Sequence, residues 1–104
     1  MSLSRIMQED RRLCVLRLLH EDSDYSLNSS LLGKALAAYG HGISGDQLRT
    51  DLAWLAEQDL ITLQDLPRPG GRDPLQVATL TGRGADVAEG RAKVPGVARP
   101  TPGH

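Results

Sequence analysis

Apolar residues recur at helical intervals over the first twenty positions: Ile6, Leu13 and Leu16, with Met7, Cys14 and Leu18 one step round, beside a polar patch QEDRR. This spacing predicts a helix from about Ser4 to His20, stopped by the run EDSD. A second stripe of Leu31, Leu32, Ala35, Leu36 and Tyr39 predicts a helix from about Asn28 to Tyr39. Gly40 then supplies the residue that tolerates a left-handed C-terminal cap, and GHG makes the turn.

The third helix has the most complete punctuation. Ser44 can cap the orphan N–H groups of the next turn while Gln47 reaches back to it, the S-x-x-Q capping box. Asp46 suits the positive end of the helix dipole. Ile43 before the cap and Leu48 after it are spaced for a hydrophobic staple. Leu48, Leu52 and Leu55 then mark the inward stripe, which leaves Asp46, Arg49, Thr50 and Ala53 on the outer side.

Beyond this helix the period changes from helical to alternating. LITLQDL and LQVATL each read as a strand, and PRPGGRDP between them reads as a long turn with a basic tip. Thr81 can cap a closing helix GRGADVAEGRAKV, with Ala85, Val87 and Ala88 directed to the core. All six prolines fall at or after Pro67, so the first two-thirds of the chain is open to helix. The elements add up to a mainly α fold with a small β-hairpin: three helices, a two-stranded wing and a closing C-terminal helix, a winged helix-turn-helix. The winged-helix domain is expected over 1–94. The Pro/Gly-rich tail, 95–104, is expected to have nothing to pack against and to be mobile or held by a partner.

Size and charge narrow the function. A chain of 104 residues, 39% hydrophobic, makes one core. With 12 Lys and Arg against 13 Asp and Glu, no overall field draws it to nucleic acid or to an acidic membrane, so any such binding comes from local charge. That charge is uneven. Between Ser44 and Asp59 the sole basic residue, Arg49, stands against Asp46, Asp51, Glu57 and Asp59. From Leu66 onward Arg68, Arg72, Arg83, Arg91, Lys93 and Arg99 outnumber Asp73, Asp86 and Glu89. The single Cys14 sits among apolar neighbours and reads as a small core residue. No apolar run has the length of a membrane span and the N-terminus is too charged for a secretory signal, which makes the cytoplasm the expected compartment.

Enzymatic chemistry finds no support. His20, His41 and His104 are scattered away from metal-ligand spacings, no Ser occupies a nucleophile elbow, and Gly82 and Gly84 lack the third glycine of a dinucleotide fingerprint. The expectation is a protein that is not an enzyme and needs neither cofactor nor metal.

RTDLAWLAEQDLI, residues 49–61, resembles the R-x-D-L-x-x-L pattern and following strand of winged-helix regulators of the DeoR, ArsR and MarR kinds. ATLTGRGADVAEG, residues 78–90, is similar to the strand-Leu-Thr-x-x-Gly-helix passage after their wing. Most of the chain also resembles small proteins of Mu-like phages and prophages, some described as ArsR-like. The resemblance implies a transcriptional regulator that lays the 44–58 helix in the major groove of double-stranded DNA. Gln47, Arg49 and Thr50 would then meet base edges or backbone, and Arg68 and Arg72 would meet phosphates from the wing. The acidity of the 44–59 stretch makes such binding lean on the wing and on a second subunit, hence a homodimer. The alternative is an adaptor that grips a protein partner through the acidic third helix, the tail, or Trp54, which reads either as intramolecular packing or as an interface anchor.

Overall fold

A computed structural model describes residues 2–71 and 73–101. Its elements run α1 (Leu3–Glu21), β1 (Ser26–Asn28), α2 (Ser29–Ala38), α3 (Gly45–Glu57), β2 (Ile61–Leu66), β3 (Leu75–Leu80) and α4 (Gly82–Ala88). The expected winged helix-turn-helix order is present. Its hairpin pairs β2 with β3 antiparallel from Ile61↔Leu80 to Leu66↔Leu75. A short 3-10 turn, Pro69–Gly71, occupies the wing tip, where Gly70 adopts φ 81°.

The hairpin carries an additional strand. β1 pairs antiparallel with β3 through Ser26↔Thr79, Leu27↔Ala78 and Asn28↔Val77, giving the order β1-β3-β2. Three residues are too few to show a period of two, which is why the pattern of the chain does not reveal this strand. The Ser26 and Thr79 hydroxyls, 2.9 Å apart, add a side-chain link across the pair.

Helix ends follow local chemistry closely. Ser2, Asn28, Ser44 and Thr81 each accept a hydrogen bond from the backbone N–H three residues on, satisfying a donor that the first turn leaves orphaned. At the other end of α2, Gly40 sits at φ 85° while the His41 N–H donates to the Leu36 carbonyl and the Gly40 N–H to that of Ala37, a Schellman cap. Asp59, at φ 60°, makes the same closure after α3 and turns the chain into β2. Gly90 does so after α4, which therefore ends at Ala88 rather than continuing to Val94.

The core joins Leu13, Leu16 and Leu19 of α1, Leu32 and Leu36 of α2, and Leu48, Leu52 and Leu55 of α3 to Leu60, Ile61, Ala78 and Val87. Two apolar expectations change. Ile6 and Met7 lie 47% and 46% exposed, because every residue from Ser2 to Met7 projects beyond the packed part of α1. Leu31 and Tyr39 likewise sit at the rim of α2.

The segment after Val94 also departs from its expectation. Val97 is 8% exposed and joins the core cluster, and the Ala98 N–H donates to the Glu9 carbonyl of α1 at 3.1 Å. This stretch finds a packing site because α1 and α3 leave a slot beside Trp54 that a glycine backbone can enter. Pro102 to His104 lie outside the described residues.

Candidate nucleic-acid interface

Leu48, Leu52 and Leu55 anchor the inner side of α3, so Arg49 and Thr50 are turned outward and exposed. The Thr50 hydroxyl donates back to the Asp46 carbonyl at 3.0 Å, which holds its oxygen against the helix. Half of the capping box forms: the Gln47 N–H donates to Ser44 Oγ at 3.1 Å. The Gln47 side-chain amide turns the other way and donates to Asp51 Oδ1 at 3.4 Å. Gln47 is thus half-buried and supports Asp51.

Arg49 reaches across to the wing. Its Nη2 donates to the Pro74 carbonyl at 3.4 Å, linking the exposed side of α3 to the root of β3. Arg49 and Arg68 line one cleft of ≈ 490 Å³ with Asp46, Asp73 and Pro74, and Ser29, Ser30 and Gln76 close its remaining side. The Gln76 N–H donates to Ser29 Oγ at 3.1 Å, so the start of α2 is tied to the same wing strand. Ser29 and Ser30 escape the sequence reading because the strand that delivers them, β1, shows no periodicity. Arg72 lies outside the described residues.

The acidity of α3 is partly internal. Asp51 is 1% exposed and takes two hydrogen bonds from Arg11 of α1, Nε to Oδ2 at 2.5 Å and Nη2 to Oδ1 at 3.2 Å. Its charge is therefore neutralised within the fold. Asp46, Arg49 and Glu57 are the charged residues that α3 presents outward. Several C-terminal basic groups are also engaged: Arg83 donates to the Gln58 carbonyl, and Arg91 pairs with Asp86 and Glu89, whose hydrogen bonds and charge raise its pKa.

Trp54 is occupied inside its own chain. The Arg12 guanidinium lies over its ring at 3.9 Å from the centroid, and Arg12 Nη1 donates to the Gly96 carbonyl at 3.0 Å. Burial lowers the Arg12 pKa, with the charge of Asp51 opposing it. Burial also raises the Cys14 pKa, reinforced by Asp10, which keeps this thiol in its neutral form. His41 is more than a turn residue: its Nε2 lies 2.9 Å from Asp10 Oδ2, joining the turn before α3 to α1. Among the described residues no group of three His, Cys, Asp or Glu is placed to hold a metal ion, and no helix is long and apolar enough to cross a membrane.

No model of a known protein family matches the chain. Among solved structures, it superposes with a TM-score of 0.58 on Sco5413, a MarR family transcriptional regulator from Streptomyces coelicolor, over 75% of this chain and 47% of that one at 24% identity. This likeness establishes the winged-helix fold. A protein of Haemophilus influenzae is 42% identical over 83 residues, covering 80% of this chain and 76% of its own. The protein gp26 of Escherichia phage Mu is 48% identical over 100 residues, covering 96% of this chain and 97% of its own. With identity of that order along essentially the whole length of both proteins, the chain belongs to the family of phage Mu gp26.

Proposed function

We propose that this protein is a DNA-binding transcriptional regulator of the winged-helix type, acting as a homodimer. In this reading the first two turns of α3 enter the major groove, with Arg49 meeting a guanine edge or a phosphate and Thr50 and Gln47 beside it. Arg68 and Arg72 hold phosphates from the wing. The observation that carries the reading is the cleft shared by Arg49 and Arg68, where the exposed side of α3 and the wing bring two arginines to one opening that Asp46 and Asp73 also line. The internal neutralisation of Asp51 supports it, because one of the four acids of the 44–59 stretch never faces the solvent.

A labelled pool of duplexes titrated over roughly 50 to 200 mM salt tests this, since each phosphate contact steepens the salt dependence by about one unit. Arg68→Ala with Arg72→Ala is expected to weaken binding to all sequences alike and to flatten the slope by about two. Arg49→Ala is expected to cost about 1–3 kcal/mol on preferred sequences. Absence of binding at the lowest salt, or binding indifferent to the wing arginines, overturns the reading. A second reading, an adaptor for a protein partner, is favoured by Asp46 and Glu57, which give the outward side of α3 more acid than base. Binding of a basic protein that survives loss of the wing arginines but fails with Asp46→Lys and Glu57→Lys would establish it.

A further inference from the structure

Adjacent arginines of α1 hold neighbouring turns of α3. Arg11 takes Asp51, and Arg12 lies over Trp54 one turn further along. The second contact is closed from behind by the segment that follows α4. The Gly96 carbonyl accepts from Arg12 Nη1, and the Gly96 backbone runs so close to the indole that a Cβ there would lie 2.8 Å from Trp54 Cη2. Val94 and Val97 are buried as its apolar anchors. Among the described residues, only that bond and the one from the Ala98 N–H to the Glu9 carbonyl tie 94–101 to the rest of the chain by hydrogen bonding.

We infer that residues 94–101 form a releasable strap that seats the second half of α3, so that whatever draws the strap away acts on the helix proposed to enter DNA. Release is within reach because two hydrogen bonds and two valine anchors oppose the entropy of an irregular segment. Docking also keeps Arg12 Nε buried where no described residue accepts from it, and undocking returns that donor and Nη1 to water. The effect on α3 follows from what Arg12 does next. Once wetted, its contact with the indole weakens, and it is left beside Asp51, whose charge already bears on it. It then contests the carboxylate with Arg11, and both points that fix α3 to α1 loosen together. Pro95 and Arg99 stay exposed while the strap is docked, which gives a partner a handle on it. The consequence for DNA rests on the reading above, whereas the strap is tested on α3 itself, so the two fail separately.

Amide hydrogen exchange and tryptophan emission on the whole chain carrying Val97→Asp test the strap, since this substitution removes an anchor without touching α1 or α3. The expected result is a red shift of Trp54 with exchange about tenfold faster from Leu52 to Gln58, while amides of α2 and β3 stay within about twofold of the unsubstituted chain. A red shift with α3 as protected as before overturns the inference. So does exchange that quickens in α2 and β3 as much as in α3, because the segment would then belong to the global core. Unchanged emission and exchange overturn it as well, since a strap that stays docked without its anchor is not releasable. The unsubstituted chain supplies a second measurement that no folding defect can obscure. Its Ala98 and Leu55 amides are expected to exchange through one opening, equal in free energy and indifferent to low urea, unlike the Leu36 amide of α2. Exchange of Ala98 only on global unfolding, or through an opening that Leu55 does not share, sinks the strap.

Discussion

Arg11 on α1 and Asp51 on α3 form a two-point hydrogen-bonded ion pair, with Nε and Nη2 donating to the two carboxylate oxygens at 2.5 and 3.2 Å. The pair sits behind the helix proposed to read DNA. It therefore sets how α3 is seated on the core while its leucines set which side faces in. A carboxylate 1% exposed is stable in its ionised form only with such a partner.

Removing one member leaves the other charged and without its partner. Asp51→Ala or Arg11→Ala is expected to lower unfolding free energy by about 3 kcal/mol, the lower end of the range for buried pairs because the Arg11 side chain keeps 12% exposure. Replacing both, as Arg11→Met with Asp51→Leu, is expected to recover most of that loss. Urea unfolding followed by circular dichroism measures both. A double variant no more stable than the single ones would show that the pair supplies something beyond mutual neutralisation.

The contrast between this pair and the cap beside it shows which parts of the molecule are legible in the sequence. Ser44, Gly40 and Thr81 act on backbone within a few residues, so their roles can be read from neighbours alone. The leucine stripe of α3 and the alternation of β2 and β3 are periodic, and periodicity survives without knowledge of the partner. Arg11 and Asp51 stand 40 positions apart, and nothing local tells an aspartate that a guanidinium awaits it. For the same reason the acid count over 44–59 overstates the surface charge of α3. The cleft is only half legible: Arg49 and Arg68 are visible as outward basic residues, while Ser29 depends on a strand too short to announce itself. Ile6 and Met7 fall on an apolar stripe correctly, but a stripe does not reveal where along the helix its cover ends.

Two glycines of α4 that look equivalent in GRGADV are expected to behave oppositely. A Cβ on Gly84 would lie 2.1 Å from the Leu60 carbonyl oxygen and 2.7 Å from Leu80 Cδ1, so the helix would have to back away from the β2 junction. Gly82 has nothing within 4 Å of its Cβ position. Gly84→Ala is expected to destabilise by about 3 kcal/mol through overpacking against fixed backbone. Gly82→Ala is expected to be neutral or to add up to about 1 kcal/mol from helix propensity. Thermal melts of the two variants side by side decide the matter, and similar melting temperatures would show that α4 does not make this close approach.

The slot beside Trp54 yields the last prediction, on the segment that sequence leaves without a packing site. Gly96 adopts φ 96°, and a Cβ there would lie 2.7 Å from Trp54 Cζ2 and 3.1 Å from Arg12 Nη1. Gly96→Ala therefore meets strain of about 1 kcal/mol from the backbone alone, together with a collision against an indole already held under Arg12. The expected outcome is release of Val97 and Ala98 from the core, a red shift in the emission of the sole tryptophan, and faster proteolysis after Lys93 and Arg99. Trp54→Ala is expected to release the same segment and to lower stability by about 2–3 kcal/mol, less than a fully buried tryptophan because the ring keeps part of its exposure. These outcomes separate the two roles the residue can have. If Trp54→Ala leaves the unfolding midpoint and the proteolysis pattern unchanged yet abolishes capture of a partner, the indole serves an interface. If stability and segment docking fall together, it serves the fold, because the energy of its burial is then already spent within the chain.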